Sequence, residues 1–457
     1  MFWRVILSAL LSIFALTALA SAADLDRAGD PPPTLYSGSW EYRYDDSPRD
    51  ARGTLAWASP AASPEGFQPA SLFISPPGRA DRSMLWMRTR LEGQAFRDPT
   101  LYLLTVDQIF EAYLDGERVY AFGELDAPGP NARRFMGYRP HYIPLGQGYQ
   151  GKTLALRIYS EHINIGIIGQ PKIGSRAALV AFTVREDLGE LGIGLLLAAV
   201  GAAGLLLFAL RRERAYFWYG GFAFVVGLYV IAQTQTRALL IDAPLGWIHA
   251  ELLFLYLIPA FLLPYLEIIL GKGPLGIMGR LAQAFGAYVL GAFTLVAAGV
   301  VPVLSTLLPF QILLILGVVY TLTTAILAAV RGSAEARIFT AGFSVTALLA
   351  IYDILAAMGL LERTTLTLTH YGNGVFVVAL GFIAARRFAR VTARAMHIEL
   401  EASLRERRIE EQRALLDAAA RMAEGDLDTP IAVPEGSELD HLARALDAMR
   451  VDLLAKI

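Results

Sequence analysis

The chain has 457 residues, a formal net charge of −2 at pH 7, 55% apolar and 18% charged residues, and no cysteine. That balance excludes an ordinary soluble domain, and the lack of thiols excludes disulfides and thiolate metal sites. The near-zero charge hides a segregation. An almost uncharged apolar middle lies between two flanks of ordinary composition, which implies separate modules rather than one core.

Met1-Phe2-Trp3-Arg4, an apolar run from Val5 to Ala20 and the small residues Ala20-Ser21-Ala22 make residues 1–22 a secretion signal. An uncleaved first span is the alternative. Both readings place the following segment outside the cytoplasm.

Residues 23–187 alternate in short runs broken by Gly, Pro and Asp, as strands and turns do. The clearest strands are Met84–Leu91, Thr100–Val106, Ile109–Leu114, Arg118–Phe122 and Thr153–Tyr159. Asp115-Gly116 sits between two of them and suits a type I′ hairpin turn, which needs positive φ at both positions. A two-sheet, all-β jelly-roll sandwich is expected. Trp86, Arg88, Asp107, Tyr138, His141, Tyr159 and His162 are the candidates for a ligand face, because aromatic rings stack on sugars and charged groups bond hydroxyls. The plainer reading turns those aromatics into the core and leaves the charges at strand ends. The Gly-, Pro- and Arg-rich segment Asp126–Pro140 reads as a long loop, where binding residues concentrate.

Seven apolar stretches follow within residues 188–387: Leu191–Leu210, Tyr216–Thr236, Trp247–Leu270, Leu281–Val301, Leu304–Val330, Ile338–Leu361 and Tyr371–Ala385. Most meet the roughly 20 residues that cross about 30 Å of hydrocarbon. Basic clusters fall in alternate connections: Arg211-Arg212-Glu213-Arg214, Lys272 with Arg280, Arg331 with Arg337, and Arg386-Arg387 with Arg390. The positive-inside rule makes these cytoplasmic, with the N-terminal domain outside. A multi-pass protein of the bacterial inner membrane is expected, in contact with lipid.

Ionisable groups within spans cost about 2.5–3.5 kcal/mol each at a helix centre. Asp353 beside Tyr352 is the deepest acid, with Glu251 and Glu267 nearer the ends of the third span, which also holds Pro259 and Pro264. One reading makes these groups a relay or ion path, hence a transporter or channel using Asp353. The other makes them interhelical glue. No internal repeat supports transport, and neither a cofactor, a metal nor a nucleic acid is expected.

After Arg390 the chain is helix-permissive as far as Pro430, with Ile398, Leu400, Leu404, Ile409 and Leu416 as apolar marks. Their irregular spacing suggests a stuttering coiled coil over residues 388–414, or else a solvated helix. Residues 415–457 read as helix, connector, helix. Leu416 and Met422 lie on the first helix, Gly425 stops it before Leu427, the connector carries Val433, and Glu438 opens a second helix with Leu442, Leu446, Met449 and Leu453. Two such stripes cannot be buried within one chain, whereas two chains bury them as a parallel four-helix bundle. A homodimer is therefore expected.

Three resemblances follow from these residues. Trp86-x-Arg88, Leu101-Tyr102-Leu103, Tyr113-Leu114-Asp115-Gly116 and Leu154–Tyr159 resemble the galactose-binding-like sandwich, which implies a glycan or other small ligand. The Gly425-Asp426-Leu427 stop, the Pro430-Ile431-x-Val433 connector and Glu438 resemble a HAMP module, although no proline opens its first helix. The order of modules is similar to the bacterial seven-transmembrane receptors with diverse intracellular signalling modules. Those receptors usually end in a kinase, cyclase or phosphatase, and no such signature appears up to Ile457. The expectation is a sensory receptor without chemistry of its own, or the sensory half of an enzyme whose output lies further along the chain or in a partner.

Overall fold

The computed structural model describes residues 31–49, 53–60, 65–70, 74–126, 134–162, 164–357, 368–431 and 439–455. The signal sequence expected over residues 1–22, Val433 and Glu438 lie outside this set. The chain divides into two compact units, residues 1–381 and 382–457.

The first unit begins with an antiparallel sandwich. One sheet has the order β1 (Thr34–Leu35), β12 (Lys172–Ser175), β5 (Pro99–Leu103), β9 (His141–Pro144). The other runs β3 (Gln68–Pro69), β2 (Trp40–Tyr44), β4 (Met84–Arg90), β10 (Thr153–Tyr159), β7 (Ile109–Leu114), β8 (Glu117–Phe122). A short pair, β6 (Thr105–Val106) with β11 (Ile167–Ile168), lies beside them. Alternation explains the layers. Leu85 and Met87, Phe110 and Ala112, and Leu154, Leu156 and Ile158 fill the core with Leu101, Leu103, Ile143 and Ile173, while the residues between them face the other way. Asp115 (φ 50°) and Gly116 (φ 90°) make the β7–β8 turn, as the sequence requires.

β12 runs straight into the first long helix. Ser175 ends the strand and caps α1, Arg176–Arg211, by accepting a 3.3 Å hydrogen bond from the Ala178 amide. The helix thus starts at Arg176 rather than at Leu191, and the expected domain boundary at residue 187 falls inside it. Hydropathy marks only the apolar part of a helix, whereas the cap marks its physical start.

The remaining helices of the bundle are α2 (Arg214–Gln233), α3 (Pro244–Leu270), α4 (Met278–Ala297), α5 (Leu307–Val330), α6 (Ala334–Ala357) and α7 (Leu368–Ala423). Among the described residues six helical segments are long and apolar enough to cross a membrane, and Ala334–Ala357 is not one of them. Residues 358–367, which the sixth expected span would enter, lie outside the described set.

Small residues set the bundle's closest approach. A Cβ added at Gly201 would lie 2.2 Å from the Phe224 amide nitrogen, and one at Gly227 2.4 Å from that of Ala198, so α1 and α2 meet backbone to backbone. Tyr219 and Tyr265 donate to the carbonyls of Val377 (3.2 Å) and Leu380 (2.8 Å), tying α2 and α3 to α7. Both prolines sit within α3, leaving carbonyls one turn back without their backbone donors.

In the second unit, α7 ends where Gly425 adopts φ 98°, the left-handed stop glycine permits. The connector returns to α8 (Asp440–Leu454): Arg450 donates to the Leu427 carbonyl at 2.7 Å, and Asp447 accepts from the Ile431 amide at 3.1 Å.

Candidate functional site

The outward face of the six-stranded sheet carries three of the expected ligand residues. Strand register sets Trp86 opposite Arg157, and Arg157 opposite Glu111. Two-residue periodicity adds Arg88 and Tyr159 to the same face. Trp86 is fully buried, with Tyr113 stacked at 5.9 Å, Trp57 edge-on at 6.0 Å, and its indole NH donating to Asp46 at 3.4 Å. Those neighbours close its faces to a sugar. Arg88 donates to Glu41 at 2.8 Å and lies 3.9 Å over Phe67, and Tyr159 donates to Glu161.

The centre of this face is Arg157, with a side chain only 1% exposed. It donates to Asp46 (2.9 Å), Asp126 (2.8 Å) and Glu111 (3.3 Å). Hydrogen bonding from Arg157 holds the Asp126 carboxyl down at about 2 despite partial burial. Sequence reasoning passes over Arg157 because one arginine in an alternating strand reads as a solvated charge. Its buried neighbours on both sides, Leu156 and Ile158, are the available signal, but they do not reveal what covers the opposite face.

Asp107, Tyr138 and His162 come together elsewhere. The Tyr138 hydroxyl lies 3.4 Å from His162 Nδ1, with Phe135 edge-on to both rings at 5.1 and 5.2 Å. Asp107 is buried, its Oδ2 has no hydrogen-bond partner among the described residues, and burial pushes its carboxyl up to about 6 against the pull of Arg79. His141 belongs to the core instead. Phe110 and Phe122 lie 4.8 Å away, Tyr120 meets its Nδ1 at 3.0 Å, and burial, aided by Arg139, holds its imidazole down at about 3. The expected residues therefore occupy three places, not one ligand face.

A polar cavity of about 510 Å³ lies where the sandwich meets the helix ends. Tyr102 and Lys172 line it from the sandwich. Phe182, Thr183, Glu186, Asp187 and Glu190 line it from α1; Gln233, Gln235, Arg237, Glu251 and His370 come from the neighbouring helix ends. Its walls are tightly held. Asp187 accepts from the Thr236 hydroxyl at 2.6 Å and from its amide; Glu251 accepts from Gln233 (3.2 Å) and Arg237 (3.4 Å); His370 Nε2 is 3.6 Å from Glu190. Two further contacts join sandwich to bundle. Tyr142 bonds Thr183 at 2.7 Å, and Arg139 pairs with Asp242. Glu251 stands out in the sequence for its place within an apolar span, whereas Lys172, Glu186, Asp187 and Glu190 do not, because they precede the apolar run.

The other intramembrane candidates lie apart. Glu267 is near the opposite end of α3, where a Cβ at Gly279 would lie 2.9 Å from its Oε2. Tyr352 is half-buried on α6, and the Asp353 side chain lies outside the described set. No group of three or more metal-binding side chains occurs among the described residues.

In the second unit Leu415, Ala418 and Ala443 are buried, whereas Leu416 (71%), Leu442 (53%), Met449 (53%) and Leu453 (42%) are exposed. Met422, Leu427 and Leu446 are half-buried. Leu400, Leu404 and Ile409 on α7 are also exposed. One chain thus leaves most of the expected packing stripe open.

In comparison with known proteins, residues 191–387 match the family model for 7TM diverse intracellular signalling, and residues 413–455 match the HAMP domain. The chain carries both domains. It is a multi-pass membrane protein, and both matched domains are of signalling type. Among curated proteins no relative matches.

Solved structures that resemble part of the chain include three glycoside hydrolases. A calcium-binding mutant of Bacteroides uniformis beta-glucuronidase 2 is 15% identical over 31% of this chain and 18% of its own, with a TM-score of 0.23. A glycosyl hydrolase family 2 member from Bacteroides cellulosilyticus DSM 14838 is 11% identical over 32% and 20%, with a TM-score of 0.22. The b-glucuronidase from Ruminococcus gnavus in complex with uronic isofagomine is 13% identical over 31% and 28%, also with a TM-score of 0.22. The chain thus spans less than a third of the length of each of these proteins.

Proposed function

We propose that the receptor detects a small molecule outside the cytoplasm, at the junction of sandwich and helices, and passes a conformational change to a HAMP homodimer. The observation that carries this reading is the joint at Ser175, where one residue ends a paired strand and caps the first membrane helix. With no linker between them, a shift in the sandwich acts on α1 directly. A two-state bundle responds when a ligand binds one arrangement better than the other.

The sandwich packs at the helix ends that carry Asp187, Asp242 and His370. The basic connections Arg211–Arg214 and Lys272–Arg280 belong to the other ends, which supports an outside sandwich, an inside C-terminus and α6 as a seventh span. The open stripe on Leu416, Leu442 and Met449 supports parallel dimerisation of the HAMP helices, extended by a coiled coil through Leu400 and Leu404. The dimer then acts on an output domain or partner protein. Of the residues expected to bind ligand, Asp107, Tyr138 and His162 remain a candidate contact group, while Trp86 and Arg88, together with the unforeseen Arg157, hold the sandwich together.

The absence of native cysteine makes the test clean. Cysteines replacing Leu442 or Leu446 in the full-length receptor in membranes are expected to crosslink between chains. Two glycines inserted between Ser175 and Arg176 are expected to change the extent of crosslinking. A tail that never crosslinks, or one indifferent to the insertion, would sink the reading.

A further inference from the structure

The cavity at the junction has a charge pattern that its own residues do not complete. Most of its ionised groups have partners: Asp187 has Thr236, Glu251 has Arg237 and Gln233, and Glu190 has His370. Glu186 on α1 and Lys172 on β12 differ. Both are half-buried in the lining; they attract each other across the cavity, but neither side chain makes a hydrogen bond or close ion pair among the described residues. The Lys172 ammonium instead rests 4.8 Å over the Phe182 ring.

Half-buried charges without hydrogen-bonded partners lose hydration without recovering it. Here there is one of each sign, in a space that falls within the range of small-molecule pockets. Glu186, Asp187 and Glu190 also fall within five residues of α1. Like charges four apart on a helix repel, so this wall favours an added cation. The Phe182 ring in the same lining already steadies the Lys172 ammonium.

We propose that this cavity binds a small zwitterion, its ammonium group received by Glu186 and its carboxylate by Lys172. The proposal rests on the reading of the junction as the receptor's input site and names the chemistry of the input. Two charged groups that attract each other only at a distance gain hydrogen-bonded partners on binding, and charge-assisted bonds are the stronger kind. Binding would also draw β12 and α1, which meet at Ser175, onto one ligand.

The test uses the full-length receptor in lipid nanodiscs, with binding followed by calorimetry and thermal shift. The probes are glycine, 4-aminobutanoate and 6-aminohexanoate, with hexylamine and hexanoate as single-charge controls. At least one zwitterion is expected to bind at least tenfold more tightly than either control. Glu186→Gln and Lys172→Met should each weaken that binding tenfold or more, Lys172→Arg should retain it, and Glu267→Gln, at the far end of α3, should not alter it. Zwitterions that fail to bind, hexylamine that binds as well as they do, or a Glu186→Gln receptor with unchanged affinity would overturn the proposal. Zwitterion binding that leaves crosslinking at position 442 unchanged would keep the proposal and count against the junction as an input site.

Discussion

Tyr142, on an edge strand of the sandwich, shares a 2.7 Å hydrogen bond with Thr183, about two turns into the first membrane helix. Thr183 also donates to the Leu179 carbonyl at 3.1 Å, so its hydroxyl belongs to both the helix and the sandwich. Removing one partner breaks this bond, at a net cost of about 0.5–1.5 kcal/mol, since Tyr142 is half-buried and Thr183 keeps the Leu179 carbonyl. Tyr142→Phe and Thr183→Val should therefore each lower the melting temperature of the full-length receptor, and the double variant should lose less than the sum. Strict additivity in that cycle would show that the bond does not couple the two modules.

Arg157 is the buried cation of the sandwich. Arg157→Leu removes the donor shared by Glu111, Asp46 and Asp126, which keep Arg118, Trp86 and Arg49 respectively, and breaking such a buried network costs about 3–5 kcal/mol. Asp46 and Asp126 keep some solvent access (36% and 48% side-chain exposure), so the lower end is expected. The Asp126 carboxyl, held at about 2 by Arg157, sits below its unfolded value. Its contribution is therefore fully present above pH 4 and is lost as pH falls through about 2. Melting temperatures measured against pH should show this acid limb in the parent and a shallower one in Asp126→Asn.

Asp107 behaves in the opposite sense. Its carboxyl is raised to about 6 by burial, so the folded state holds the proton more tightly than the unfolded chain does. Its favourable contribution is present below about pH 4 and is lost as pH rises through 6. Asp107→Asn removes the charge that must be buried at higher pH. It should raise the melting temperature at pH 8 while changing little at pH 4, and a variant no more stable than the parent at pH 8 would contradict the burial argument.

Gly201 lies where α1 meets α2. A methyl group there would collide with the Phe224 backbone at 2.2 Å, and backbone cannot yield as a flexible side chain does. Gly201→Ala should cost about 1–3 kcal/mol and reduce the folded yield in detergent. Gly286, whose added Cβ meets nothing within 4 Å, should tolerate the same change. Equal yields for the two variants would show that α1 and α2 do not pack as closely as described.

Several elements are legible in the amino-acid order alone. The strands Ile109–Leu114 and Thr153–Tyr159 and the Asp115-Gly116 turn follow from period-two alternation and from the φ that glycine permits. The stop at Gly425 follows from the same backbone chemistry. His141 and Trp86 show the limit of such reading. Polar and aromatic residues in a strand can face ligand or core, and alternation along one strand does not reveal what lies over either face.

The sequence by itself determined the order of modules, the apolar helices and the two matched domains, because hydrophobic periodicity and charge placement are local properties that each segment carries alone. Only the tertiary structure decided that Arg157 is enclosed by three carboxylates from distant loops and strands. It alone showed that Ser175 welds strand to helix, and that Lys172 and Glu186 face one cavity with residues from α2, α3 and α7. Those relationships join positions remote in the chain, and burial arises from what packs around a residue rather than from its sequence neighbours.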